Sequence, residues 1–266
     1  VLVMSVMPYA FSAQITAEHN NPGKFITIEK QFEKSHVDGY NLYIPDSYTS
    51  GSTPFPVIVF LQGGLGVGGK VDSIFKWELP RELREAQRVE SELDQLKLNT
   101  FIYVMPHTTT GQFYDNTEAI MKIISEVSGA YNIDAKRIYL TGLSRGGHGA
   151  WGVASRMPEV FAAVAPICGE AHGITDYSNL AKVPVLTAHN IADEAVDYYE
   201  TLTIVRKIED ISGKKFLRLN SISEASSGTT ERIFISGKGD DKGHNAWKEV
   251  YNNVNFYRWL LRFKKE

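Results

Sequence analysis

Cysteine is almost missing from this sequence. The lone Cys168 allows no intramolecular disulfide and no multi-cysteine metal site. An excess of charge of one sign is missing too: the net charge is −3 and the basic residues are scattered, so nothing suggests nucleic acid or an anionic membrane surface as a partner. There are no internal repeats and no coiled-coil heptads. The apolar opening run at residues 1–13, VLVMSVMPYAFSA, is well short of the roughly 20 residues that span a bilayer, so membrane insertion is not expected. It is uncharged and ends in small residues before the polar residues 14–21, like the rear of a secretory signal peptide without its basic start. The expectation is a signal remnant at 1–13 and a secreted or periplasmic protein, the alternative being an apolar N-terminal strand. Residues 14–266 are then expected to form one catalytic domain.

What is present is a chain of 266 residues, 43% of them hydrophobic, enough to cover a large sheet on both faces. Residues 26–32 and 39–44 show partial alternation and read as an opening antiparallel pair, with 36–39 as the turn. Short apolar runs follow at 56–61 (PVIVFL), 100–105, 137–140, 161–167, 184–188 and 232–235, each bounded by turn residues, as buried parallel strands are. Between them, helices are expected at 116–131, 147–157, 196–211 and 246–263, with a charged one at 79–96 whose dense Glu/Arg/Lys pattern reads as a solvated face. Residues 221–230 form a polar loop. Strand and helix alternate in the manner of a mostly parallel sheet with helices on both faces.

The most informative stretch is 138–151, IYLTGLSRGGHGAW. An apolar strand runs into Gly142-x-Ser144-x-Gly146 and then into a helix of small residues, the signature of a nucleophile elbow. The spacing has a steric reason: a serine on a sharp strand-to-helix turn needs neighbours without a Cβ, and there its flanking amides and the helix N-terminus face charge developing on a bound carbonyl.

A serine hydroxyl is a weak nucleophile at neutral pH and needs a histidine base and a carboxylate to orient that base. In chains with this elbow the order is Ser, then Asp or Glu, then His, each at a strand end. His244 follows the last expected strand through SGKGDDKG and is the candidate base; His189 is the other late histidine. Asp193, just beyond strand 184–188, is the candidate acid, with Glu194 and Asp197 as rivals or helix caps. Asp240 and Asp241 read as solvated loop charges. The loop Gln62-Gly63-Gly64 after the first buried parallel strand can supply an oxyanion donor, for which the Gly64 N–H is the candidate, and the Arg145 N–H is the other. The same loop matches Gly64-x-Gly66-x-x-Gly69, but with no helix opening cleanly at Gly66 a dinucleotide site is not expected. Neither His189 with Asp193 nor Asp240, Asp241 and His244 has a recognised metal-binding spacing, so neither cofactor nor metal is expected.

Four blocks, YNLYIPDSY with PVIVFLQGG, IDAKRIYLTGLSRGGHGAWGVASRMPEVFAAVAPICG, VPVLTAHNIADEAVD, and GHNAWKEVYNN with FYRWLL, resemble α/β-hydrolases of the esterase D and feruloyl or acetylxylan esterase type (carbohydrate esterase family one), including related polyhydroxybutyrate depolymerases. The resemblance implies the α/β-hydrolase fold and the roles of nucleophile, acid and base for Ser144, Asp193 and His244. Relatives usually have His-Gly at Gln62-Gly63 and again at His189-Asn190, and Met or Gln at Arg145. The segment between Cys168 and Val183 is too short for a helical lid, so an open cleft and soluble ester substrates, small or linked to carbohydrate, are expected. Trp77, Trp151 and Trp247 are candidates to line that cleft, Trp151 equally a core residue, and His148 either approaches the site or packs under the elbow. The expected activity is that of a serine carboxylic ester hydrolase on short-chain, feruloyl or acetyl esters. A serine peptidase or amidase of the same architecture and a silent binding module are the alternatives.

Overall fold

Strand-forming character is strongest where Val, Ile and Phe crowd together, and in the computed structural model those runs form the middle of one ten-stranded sheet. The structure describes residues 13–16, 23–49, 51, 53–86, 88–225, 230–237 and 243–266. The apolar run at 1–12 and the acidic residues Asp240 and Asp241 lie outside them.

The strands are β1 (Ala13–Thr16), β2 (Gly23–Glu29), β3 (Val37–Pro45), β4 (Phe55–Leu61), β5 (Ile102–Thr108), β6 (Ile133–Leu143), β7 (Ala163–Ile167), β8 (Val185–Ala188), β9 (Leu217–Leu219) and β10 (Arg232–Ile235). Their order across the sheet is β1-β2-β3-β5-β4-β6-β7-β8-β10-β9. The first three strands are antiparallel and β3 also meets β5 antiparallel, while every pair from β5 to β9 is parallel.

The helices are α1 (Glu78–Glu85), α2 (Glu92–Asn99), α3 (Thr117–Ala130), α4 (Arg145–Arg156), the single turn α5 (Tyr177–Leu180), α6 (Tyr198–Ser212), α7 (Ala246–Tyr251) and α8 (Val254–Leu261). Strand residues alternate between two cores. Val57, Val59 and Leu61 of β4 face α3, α4 and α6, whereas Ile58 and Phe60 face α1, α2, α7 and α8. Two buried layers explain why these strands read as continuous apolar runs rather than alternating ones.

Several boundaries differ from the sequence reading. The expected helix 246–263 is two helices, because Asn253 breaks out of the helix and its side chain accepts the Asn255 amide hydrogen as a cap. The charged segment 79–96 is also two, with Ser91 and Asp94 forming a capping box at α2. Its charged face is not wholly solvated: Lys97 is buried, ion-paired to Glu82 and 3.0 Å from Asn252 Oδ1. The first turn lies at residues 33–36, where Lys34 adopts φ 54°, and Gly39 sits inside β3 beside a register shift. β1 and β9 carried no apolar signature. Residues 64–76 form two short 3₁₀ helices, Gly64–Gly66 and Val71–Lys76, in place of the long helix a dinucleotide site would need. Among the described residues no large lid covers the sheet, and no helix is long and apolar enough to cross a membrane.

Candidate active site

Ser144 stands between β6 and α4 with φ 53° and ψ −121°, a backbone state costly for a residue with a Cβ. The turn closes because its neighbours are glycines: a Cβ on Gly142 would lie 2.7 Å from the Leu61 carbonyl oxygen, and one on Gly146 would collide with the same group. On the helix side the Ser144 carbonyl accepts the His148 amide at 2.9 Å, starting α4 directly at the turn. The serine is half-buried.

Main-chain bonds tie the neighbouring strand ends together in sequence across the sheet. Ser144 N donates to Ile167 O at the end of β7, Cys168 N to Ala188 O at the end of β8, and His189 N to Ile235 O at the end of β10, each at 2.9 Å. The loops carrying the serine, Asp193 and His244 therefore leave one edge of the sheet side by side.

The structure brings Asp193 and His244 into direct contact, His244 Nδ1 lying 2.6 Å from Asp193 Oδ2. The aspartate side chain is fully buried and the imidazole partly so. Asp193 Oδ1 accepts the amides of Ala195 at 2.9 Å and Val196 at 3.1 Å. Burial pushes its carboxyl up, but the His244 hydrogen bond and these amides outweigh burial and hold it below the usual range. The rival Asp197 caps α6, accepting the Tyr199 amide at 2.9 Å. Trp247 meets the His244 ring edge-on, centroids 5.2 Å apart. Gly64 opens the short 3₁₀ turn after β4, and the Arg145 amide is the first of α4.

No protein-family model matches the chain. A bifunctional acetylxylan esterase/xylanase from Neocallimastix patriciarum is 29% identical over 117 residues, 41% of this chain and 17% of that enzyme. Among solved structures, a thermostable esterase superposes with TM-score 0.67 at 20% identity, over 92% of this chain and 64% of its own. The feruloyl esterase module from Clostridium thermocellum matches at TM-score 0.61 and 15% identity over 95% of both chains. The acetyl xylan esterase from Aspergillus awamori matches at 0.58 and 14%, over 88% of this chain and 99% of that one. The chain has the α/β-hydrolase fold.

Within this fold several side chains take places the sequence left open. Arg145, buried to 9% exposure, turns away along the loop after β5: its Nη2 donates to Thr108 Oγ1 at 2.6 Å and Nε to Gly111 O at 3.0 Å, with the guanidinium 4.6 Å over the Phe113 ring. Burial lowers its pKa to about 10. His148 Nδ1 accepts the Glu170 amide at 2.9 Å, and burial pushes the imidazole down to about 4, so it is neutral across the working pH range. Trp151 is wholly buried, whereas Trp77 is exposed. His189 is buried behind Asp193, its Nε2 3.0 Å from Val196 O and 3.3 Å from Asp193 Oδ2 and its Nδ1 2.8 Å from Thr201 Oγ1.

Cys168, His189 and Asp193 bring one ligand atom each within 4.8 Å of one another. Their chemistry does not fit a metal: burial raises the thiol pKa and keeps it protonated, both His189 nitrogens are engaged, and Asp193 is committed to His244. Sequence reasoning missed Asn190. Its Nδ2 donates to Gly243 O at 2.6 Å and to Asn245 Oδ1 at 3.0 Å, grasping the residues on both sides of His244, while its own carbonyl accepts the Asp193 amide at 3.2 Å. The departure from the usual His-Gly at this position was the available signal.

Proposed function

We propose that this α/β-hydrolase is a serine carboxylic ester hydrolase with Ser144 as nucleophile, Asp193 as orienting acid and His244 as base. What supports the reading is the strained Ser144 turn at the end of β6 together with a buried carboxylate hydrogen-bonded to an imidazole, on loops that leave the same edge of the sheet. His244 takes the Ser144 proton as the hydroxyl attacks the ester carbonyl. The backbone amides of Gly64 and Arg145 hold the oxyanion, and His244 then protonates the leaving alcohol. The acyl-enzyme forms with loss of that alcohol, and a water activated by His244 releases the acid and restores Ser144. Asp193 stays ionised and stabilises the imidazolium, consistent with its lowered pKa.

Short-chain, feruloyl and acetyl esters, free or carried on carbohydrate, are the substrate classes this reading ranks first. Exposed Leu65, Val67 and Trp77 follow the Gly63-Gly64 turn, and exposed Ile191 follows Asn190. Apolar side chains on both flanking loops favour apolar or aromatic ester groups over charged ones. The test is hydrolysis of p-nitrophenyl acetate, p-nitrophenyl butyrate and methyl ferulate by the wild-type chain and Ser144→Ala, with a peptide panel and a fluorophosphonate probe alongside. Turnover should fall by on the order of 10⁴ to 10⁶ in the variant, and probe labelling should vanish. Retention of a rate within tenfold of wild type would remove Ser144 from the mechanism; peptide cleavage alone would favour the peptidase reading.

A further inference from the structure

Glu78 combines two costs in one residue. Its backbone φ is 55°, in the left-handed region that suits glycine, and its carboxyl is largely withdrawn from water, with no basic side chain paired to it among the described residues. Residues that carry both strain and an uncompensated acid cluster at functional sites. The place of this one is specific. Glu78 Oε2 lies 3.5 Å from the Gly63 amide nitrogen, and a Cβ on Gly63 would be 2.9 Å from Glu78 Oε1 and 2.8 Å from Leu143 Cδ1. The carboxyl thus lies against the loop that carries Gly64, at a glycine whose other side-chain neighbour is Leu143, the residue before Ser144.

We infer that Glu78 is a positioning residue for the oxyanion loop, its carboxyl taking the Gly63 amide hydrogen and so fixing the Gly63–Gly64 turn. This rests on the ester hydrolase reading above. An ionised carboxylate at the same place would hold the loop but oppose the charge that the Gly64 and Arg145 amides stabilise. Burial raises the Glu78 carboxyl to about 7 from its ordinary 4.5, and the Gly63 amide pulls it back only in part. The titratable groups around it do not reverse this. From α7 the nearby Tyr251 phenol is itself driven up by burial and is hydrogen-bonded to Thr141 Oγ1 at 2.9 Å. Glu82, one turn along α1, is ion-paired to Lys97 of α2, and Lys76 on the preceding turn is exposed to solvent.

Two measurements test it. In the wild-type chain the Gly63 amide resonance should titrate near pH 7 by ¹⁵N NMR, and in Glu78→Gln that titration should be gone. Gln keeps an acceptor for the Gly63 amide but cannot ionise, so the fall in kcat/KM toward pH 9, expected to be about tenfold in wild type, should be absent or below threefold in Glu78→Gln. Glu78→Ala removes the acceptor and should lower kcat at every pH with KM less affected. A Gly63 amide that does not titrate overturns the inference, and so does an alkaline limb that Glu78→Gln leaves in place. Thermal midpoints separate a misfolded variant from an informative one, and Glu78→Gly, which removes the strain and the acceptor together, then stands in for Glu78→Ala. If the wild-type chain neither hydrolyses esters nor reacts with the fluorophosphonate probe while its Gly63 amide does titrate, the hydrolase reading fails and the positioning role of Glu78 in catalysis fails with it, although its contact with the Gly63 amide stands.

Discussion

Replacing Asn190 by alanine removes two hydrogen bonds, 2.6 Å to the Gly243 carbonyl and 3.0 Å to the Asn245 side chain, from a residue only 3% exposed. Each such bond contributes about 1 kcal/mol net, and an abandoned buried carbonyl adds to the loss, so the variant should be destabilised by about 2 to 3 kcal/mol. For a chain of this size that is a fall in thermal midpoint of roughly 5 to 10 °C. The bonds grip the residues on either side of His244, so part of the loss should appear in catalysis. With 1.4 kcal/mol per factor of ten, freeing the imidazole should lower kcat about tenfold or more while KM moves less, because the exposed apolar side chains at Leu65, Val67 and Trp77 are untouched. Calorimetry and steady-state kinetics on p-nitrophenyl butyrate, read together, decide the matter. A midpoint lowered as expected with kcat within twofold of wild type would refute the claim that Asn190 positions the base, leaving it a purely structural latch. Asn190→Asp is the informative companion, since it keeps the shape but loses the donor.

Other consequences follow from the same contacts. Asp193→Asn should leave a folded protein with turnover reduced by about 10³ to 10⁴, because an amide at this site favours the wrong imidazole tautomer; kinetics at saturating substrate measure it. His148→Gln should leave the shape of the pH–rate profile unaltered between pH 5 and 9, since the imidazole is already neutral there, and a displaced limb would give His148 a part in the chemistry. Stability should also decline with pH on account of Glu78. Its folded pKa lies above the unfolded one, so the folded state holds the extra proton and the loss runs from about pH 4.5 to about 7, a few kcal/mol at most. Denaturant midpoints across that window should show the decline in wild type and not in Glu78→Gln.

The central strands and the elbow were legible because their cause is local. PVIVFL, short, β-branched and bounded by turn residues, fits a doubly covered strand, and a serine flanked by Gly142 and Gly146 advertises a turn that residues with a Cβ could not close. Asp193 was preferred over Glu194 and Asp197 for its place just beyond a strand end, and its buried contact with His244 separates it from those rivals. The rest depends on partners distant in the chain. Nothing near Asn253 interrupts the apolar pattern of 246–263, so the break between α7 and α8 had no periodic signal. Glu78 looks in sequence like one more charge at the start of a polar helix. Its place against Gly63, fifteen residues earlier in the chain, exists only once the sheet has formed.

The strand-end bonds that link Ser144 to β7, Cys168 to β8 and His189 to β10 are all main chain to main chain. Side-chain identity does not enter them, so where each loop departs is insensitive to substitution within the loop itself. Variation along 64–77 or at Ile191 can therefore alter the surface beside Ser144's loop without shifting the origin of the loops that carry the serine, the aspartate and the histidine. For directed evolution this divides the molecule into positions where diversity is tolerated and a short set, headed by Gly142 and Gly146, where a library would return mostly unfolded chains.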